Sequence, residues 1–348
     1  MAGPNRASGR HSPGILGKSA VAHAPAVAKA PPTARGAAPG VKPKGGKPAA
    51  PPKPKVVPAV VPAWVKKYAK GIDITTQYRT AKNPLFDWHT LADAKEFTFR
   101  KGMKVQDPIS FVILKATYAA QVTAYFKENW AELATKYRKV MRGAYAYITF
   151  GEKSDPIAQA NAYLTAVGSF SDTLPPILDV EHDSAAALKF LGITRTETDG
   201  PDGKKHTKLQ FDPKQRKAGV KKAVADVDAW IKHVQSQTKR APIIYTTISY
   251  WRDILENPTQ FKDYPLWIAS YPRKITEEED PNPHKSIGGW DTWTFWQISG
   301  SSKDVDFGQN VPGIGKGVDV NLYNGNALNL YLRFNQGPIL PSLFKPLF

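Results

Sequence analysis

From Trp64 onward, short runs of β-branched and aromatic residues alternate with longer stretches of helical spacing. The runs are "GIDI" (71–74), "FVILKAT" (111–117), "GAYAYITF" (143–150), "PPILDVE" (175–181), "APIIYTT" (241–247), "YPLWIAS" (264–270), "WTFWQIS" (293–299) and "VDVNLYN" (318–324). Several are apolar at consecutive positions, the pattern of strands covered on both faces. Between them, "DPIAQANAYLTAVGSF" (155–170) places apolar residues at 157, 160, 164 and 167, with Asp155 as N-cap and Pro156 at the first helical position. "DPKQRKAGVKKAVADVDAWIKHVQSQ" (212–237) repeats the Asp-Pro opening and aligns Val220, Val224, Val227 and Ile231 on one stripe. Alternation over about 280 residues predicts a parallel α/β fold, and the strand count predicts a closed barrel.

Two polar stretches interrupt this rhythm. Residues 194–211 are polar around a central Gly-Pro-Asp-Gly and predict a long surface loop or a hairpin. Residues 272–290 carry four consecutive acids, Glu277 to Asp280, for which a solvated surface is the default expectation.

Residues 1–62 differ in kind. They hold 13 prolines among Ala, Gly and Lys, and almost no aromatic side chains. Such a segment has too little apolar area to offset the entropy of ordering, so it is expected to be disordered. The net charge of +18 is concentrated there: residues 1–70 contain 13 Lys and Arg and no acid, leaving 35 basic against 30 acidic residues in the rest. A basic tail suits a polyanion such as an anionic envelope polymer, but it carries no motif for specific nucleic-acid recognition. "AVAHA" resembles a cleavage site, yet no apolar core precedes it, so a standard signal peptide is not expected. No apolar run reaches the roughly 18–20 residues of a transmembrane helix. The sequence has no cysteine, which excludes disulfides, thiolate nucleophiles and cysteine-based metal sites.

The chemistry is concentrated at strand ends. In "LPPILDVEHD" (174–183), Asp179 and Glu181 are two residues apart, so on a strand they share one face about 6.5–7 Å apart. Asp73 closes the first run and Asp319 opens the last. Four acids converging on one barrel mouth would suit glycoside hydrolysis, in which one carboxyl donates a proton and another stabilises positive charge. Crowding raises the pKa of at least one of them. A helix cap, a surface ion pair or a Mg²⁺ or Ca²⁺ site are the alternatives for such acids. Tyr145, Tyr147, Tyr245, Trp267, Tyr271 and Trp296 lie at or near the same strand ends and offer aromatic platforms for sugar faces.

Taken in order, these segments resemble the glycoside hydrolase family 25 lysozymes, the Chalaropsis-type muramidases. "GIDIT", "FDWHTLADAKE" (86–96), "FVILKAT", "RGAYAYITF" (142–150), "LPPILDVE", "PIIYTTISYW" (242–251), "PLWIASY" (265–271), "WTFWQIS" and "VDVNLYNG" follow the family's sequence of motifs across residues 68–334. The resemblance implies an irregular β/α (TIM-like) barrel over 63–336, between the tail and a short C-terminal segment, 337–348. It implies cleavage, without metal or cofactor, of the β-1,4 bond between N-acetylmuramic acid and N-acetylglucosamine in peptidoglycan glycan strands. By position, Glu181 matches the general acid, Asp179 its ionised neighbour, Asp73 the first-strand carboxylate and Asp319 the last. Tyr118, Tyr145, Tyr147, Tyr245, Trp267, Tyr271, Trp296 and Gln297 are the expected substrate contacts, with His182 and Asp183 as support. Direct displacement and assistance by the substrate's own acetamido group both stay open.

Two positions depart from the family pattern: Tyr118 replaces a carboxylate after the second strand, and Ala146 replaces a histidine. They keep alive a non-catalytic wall-binding or structural module, and a hydrolase of another N-acetylated glycan. Action at the bacterial cell wall without a signal peptide implies phage-type release, injection with a delivery apparatus or unconventional export, with the tail as the candidate contact for such a partner.

Overall fold

The computed structural model describes residues 61–100, 102–181, 184–199, 205–272, 278–280, 282–300 and 307–334. They fall within one compact unit that begins at Val56. The expected tail lies outside the described residues up to residue 60, as does the expected C-terminal segment 337–348. Val61 and Pro62, assigned to the tail from sequence, are buried; Pro62 accepts a hydrogen bond from Val65 N at 3.1 Å and so starts the first helix.

Eight strands form the barrel: β1 (Ala69–Ile74), β2 (Ile109–Tyr118), β3 (Met141–Tyr147), β4 (Ile177–Asp179), β5 (Ile243–Thr247), β6 (Leu266–Ala269), β7 (Phe295–Gln297) and β8 (Asp319–Tyr323). They pair in chain order from β2 to β8, β8 pairs with β1, and β1 pairs back onto β2 to close the ring. Seven strands are parallel, but β8 runs antiparallel to both β7 and β1. This reversed strand is where the barrel is irregular. The chain between β7 and β8 contains no crossover helix among its described residues, and an antiparallel neighbour needs none.

The helices are α1 (Ala63–Lys67), α2 (Trp88–Asp93), α3 (Phe126–Lys136), α4 (Pro156–Val167), α5 (Ala185–Phe190), α6 (Pro213–Thr238) and α7 (Ala327–Phe334). Both Asp-Pro openings behave as read. Asp155 accepts from the backbone N–H of Ile157 and Ala158, and Asp212 from those of Lys214 and Gln215. The α4 stripe shifts, however. Ile157 is exposed, and Gln159, Ala160, Tyr163, Ala166 and Val167 make the buried face. None of the described helices is long and apolar enough to cross a membrane.

Period-two geometry splits the barrel residues into two cores. Outward positions such as Val112, Leu114, Ala144, Ala146, Leu178, Val180, Ile268 and Trp296 meet the helices, while Phe111, Ile113, Ile177, Ile243, Trp267, Phe295 and Tyr323 fill the interior. Gly71 is small for a reason, since a Cβ there would lie 2.3 Å from the Phe111 ring. Its absence lets that ring close the barrel beneath Asp73, two residues further along the same face.

Ile193–Asp199 pairs antiparallel with Lys205–Phe211 as the two strands of a hairpin. In the acidic stretch, Glu279 is not simply solvated: it pairs with Lys67 at 3.2 Å and accepts a hydrogen bond from the Tyr68 hydroxyl. Burial, and then this acceptor, pushes the Tyr68 phenol above its usual range.

Candidate active site

Asp73 lies near the end of β1 and is opposite Asp319 in register. The reversal of β8 makes this possible, because its first residue then sits at the mouth where the parallel strands end. Asp179 ends β4, opposite Tyr147 of β3 and Tyr245 of β5. Pairing continues one residue further, through Val180 N to Tyr245 O at 2.8 Å, so Glu181 follows Asp179 on the inward face. The four carboxylates share one locality. Burial raises the Tyr145 phenol well above its ordinary value, and the fields of Asp179, Asp73, Asp319 and Glu181 all add to the rise.

The acids differ in setting. Asp73 is 6% exposed, and its Oδ1 accepts from Gln297 Nε2 at 2.8 Å and Asn321 Nδ2 at 2.7 Å. Those amides are themselves held: Asn321 Oδ1 accepts from Trp267 Nε1 at 2.8 Å, and Gln297 Oε1 accepts from the hydroxyls of Tyr245 at 2.9 Å and Tyr271 at 2.7 Å. Burial pushes the Asp73 carboxyl up to about 6, while the two amide donors pull the other way.

Asp179 is 5% exposed, and its Oδ1 has no hydrogen-bond partner among the described residues. Lost hydration raises its pKa well above the carboxylate range, Glu181 and Asp73 add to the rise, and Lys115 opposes it. Glu181 is half-buried and borders a cavity of about 490 Å³ shared with Tyr147 and Tyr250. Another cavity, of about 470 Å³, is lined by Ile109, Met141 and Leu330 at the end where β2 and β3 begin, away from the acids.

Lys115 was not singled out from sequence. Its Nζ stands 4.4 Å from the Tyr147 ring centre, 5.3 Å from that of Tyr118 and 5.9 Å from that of Tyr145. Burial lowers its pKa, and the charges of Asp179 and Glu181 raise it in opposition. A signal existed, since a lone cation follows four apolar residues on a strand, in phase with the inward Ile113. Asn321 was missed too, although it lies two residues from Asp319 on the same face.

The expected sugar contacts separate by depth. Tyr118 and Tyr271 are exposed by 45% and 44%, and Tyr118 stacks on half-buried Tyr147 with ring centres 5.1 Å apart. Tyr145 is half-buried within the mouth. Tyr245, Trp267 and Gln297 are buried beneath it and hold the Asp73 network rather than offering open platforms. Trp296 is a correction. It points outward, stacks on Trp64 at 5.9 Å and donates to Ser270 O, because alternation places Phe295 and Gln297 inside instead. Ala146 is likewise in the outer core, so the histidine departure does not alter the mouth. His182 and Asp183 lie outside the described residues.

The model of the family described as "Glycosyl hydrolases family 25" matches residues 87–307. Among curated proteins, the chain is 27% identical over 245 residues to the uncharacterized protein YegX of Escherichia coli K12, covering 70% of this chain and 67% of that one. It is 28% identical over 229 residues to lysozyme M1 of Streptomyces globisporus, covering 64% and 62% respectively. Among solved structures, the bacterial lysozyme of Streptomyces coelicolor matches with a TM-score of 0.50 and 22% identity, over 77% of this chain and 97% of that one. A family 25 glycosyl hydrolase of Bacillus anthracis gives a TM-score of 0.50 and 20% identity, over 79% and 95%. These two structures share the fold.

Proposed function

This chain belongs to glycosyl hydrolase family 25, and from that premise we propose that it is a lysozyme of the N-acetylmuramidase kind, cleaving the β-1,4 bond between N-acetylmuramic acid and N-acetylglucosamine in peptidoglycan. The observation that carries this reading is the gathering of Asp73, Asp179, Glu181 and Asp319 around Tyr145 at one barrel mouth.

Glu181 is the proton donor to the leaving oxygen, since it borders an open cavity whereas Asp179 is almost fully buried. Two neighbouring carboxyls cannot both ionise cheaply, so across the working range the pair holds one proton. Burial alone would leave that proton on Asp179. Lys115 opposes this by favouring the Asp179 anion without reversing the upward direction of its pKa, and the open cavity beside Glu181 is what supports Glu181 as the donor. Burial of Asp179 suits orientation of the substrate's acetamido group, or stabilisation of its positive charge, better than direct attack on the sugar. Asp73, held by two amides, supplies fixed negative potential behind the reaction centre. The substrate's location makes the cell wall the place of action, with the basic tail as a contact to anionic envelope polymers or a delivery apparatus.

Mass analysis of digests of purified peptidoglycan tests the reading. Products ending in reducing muramic acid are expected; reducing N-acetylglucosamine ends, or no new ends, would overturn it. Lys115→Met should lower activity at neutral pH severalfold, because the cation that favours the Asp179 anion is gone. Without the cation the Asp179 carboxyl rises further, so the acidic limb of the pH–rate profile should move to higher pH. An unchanged limb would remove Lys115 from the electrostatics of the pair.

A further inference from the structure

The barrel reading leaves the hairpin strands Ile193–Asp199 and Lys205–Phe211 without a role. Its register is antiparallel, with Arg195 opposite Leu209, Glu197 opposite Thr207 and Ile193 opposite Phe211. Directly opposed residues share a face, so these six side chains form one face, and Thr194, Thr196, Lys208 and Gln210 form the other. The two faces differ in composition. The second is wholly polar. The first is anchored at its root by Ile193, 2% exposed and part of the outer core.

Further along this first face, Arg195, Thr207 and Leu209 wall the same 490 Å³ cavity that Glu181 borders. Leu209 keeps 36% of its surface exposed, a branched apolar side chain turned toward a cavity rather than into a core. Leu188 and Ile254 supply further apolar wall, and Thr247 and Ser249 bring hydroxyls from the end of β5. Arg195 is only loosely engaged, 3.8 Å from Glu197, with both side chains nearly half exposed. The wall thus combines apolar patches, hydroxyl groups and one available guanidinium beside the proposed proton donor.

We propose that the inner face of this hairpin builds a saccharide subsite next to Glu181, which takes an N-acetylated hexosamine unit of the glycan strand adjoining the cleaved bond. This rests on the muramidase reading of the mouth and extends it to a further sugar. The apolar wall of Leu209, Leu188 and Ile254 receives the acetamido methyl or the carbon face of the ring. Thr207, Thr247, Ser249 and Arg195 serve its hydroxyl, carbonyl and carboxylate oxygens. The hairpin therefore sets how long a glycan segment the enzyme grips.

The test uses the full chain carrying Glu181→Gln, so that binding is read without turnover. Calorimetry with peptide-free di- and tetrasaccharides of alternating N-acetylglucosamine and N-acetylmuramic acid measures the gain from the longer ligand. The tetrasaccharide is expected to bind at least tenfold more tightly. Adding Leu209→Asp or Arg195→Ala should remove most of that gain, Leu209→Met should keep it, and Lys208→Asp on the opposite face should leave it unchanged. All three positions are surface sites of the hairpin, and an unchanged melting temperature verifies folding. In the otherwise native enzyme, Leu209→Asp should raise KM on peptidoglycan with little change in kcat. If the gain survives both Leu209→Asp and Arg195→Ala, the hairpin subsite is wrong while the catalytic reading stands. If the parent binds neither oligosaccharide, both fall.

Discussion

Glu181→Gln should cut the release of reducing ends from peptidoglycan by about 10²–10⁴-fold, the usual contribution of a positioned general acid. The amide cannot deliver a proton, but it keeps the volume and the hydrogen-bonding capacity of the glutamate. Glu181 is half-buried at a cavity edge, so the melting temperature should hardly move. The remaining rate reports what the other acids achieve by binding and charge alone. Activity near that of the native enzyme would dismiss Glu181 as the donor and turn attention to Asp319, the other half-buried member of the group.

Asp73→Asn should trade activity for stability. Burial moves the Asp73 carboxyl from 3.8 in the unfolded reference to about 6 in the folded protein. A carboxyl with a raised folded pKa favours folding while it is protonated, and that advantage fades as pH rises from about 4 through 6. At pH 7 and above, the difference amounts to about 3 kcal/mol at 1.36 kcal/mol per unit. Asparagine never ionises, and its Oδ1 can still accept from Gln297 and Asn321. The variant should therefore melt about 5–10 °C above the native protein at pH 8, and the gap should close below pH 4. Activity should fall by at least tenfold, because the fixed negative potential is gone. A pH-independent difference in melting temperature would show that Asp73 does not titrate between its folded and unfolded states as its burial requires.

Much of the site's content is local. Runs of consecutive apolar residues mark strands covered on both faces, and they fix where β1 to β7 run. The D-x-E spacing after Ile177-Leu178 places Asp179 and Glu181 on one face before any fold is known. The two Asp-Pro openings announce α4 and α6, because a carboxylate cap and a proline at the first helical position act within one turn.

Other features depend on which strand meets which. Whether Asp319 reaches the mouth turns on the direction of β8. Alternation along "VDVN" is the same for either direction, and only antiparallel pairing with β1 and β7 brings its first residue to the ends of the others. Alternation likewise tells Trp296 from Gln297, but not which of them faces inward; the β7 register does that. The role of Lys115 depends on β3 and β4 delivering Tyr147 and Asp179 beside it. The sequence by itself determined the strands, the caps and the acids, because these are set by periodicity and by neighbours a few residues away. The tertiary structure alone decided which acids are desolvated and which cation faces them, because hydration and Coulomb fields depend on distances through space.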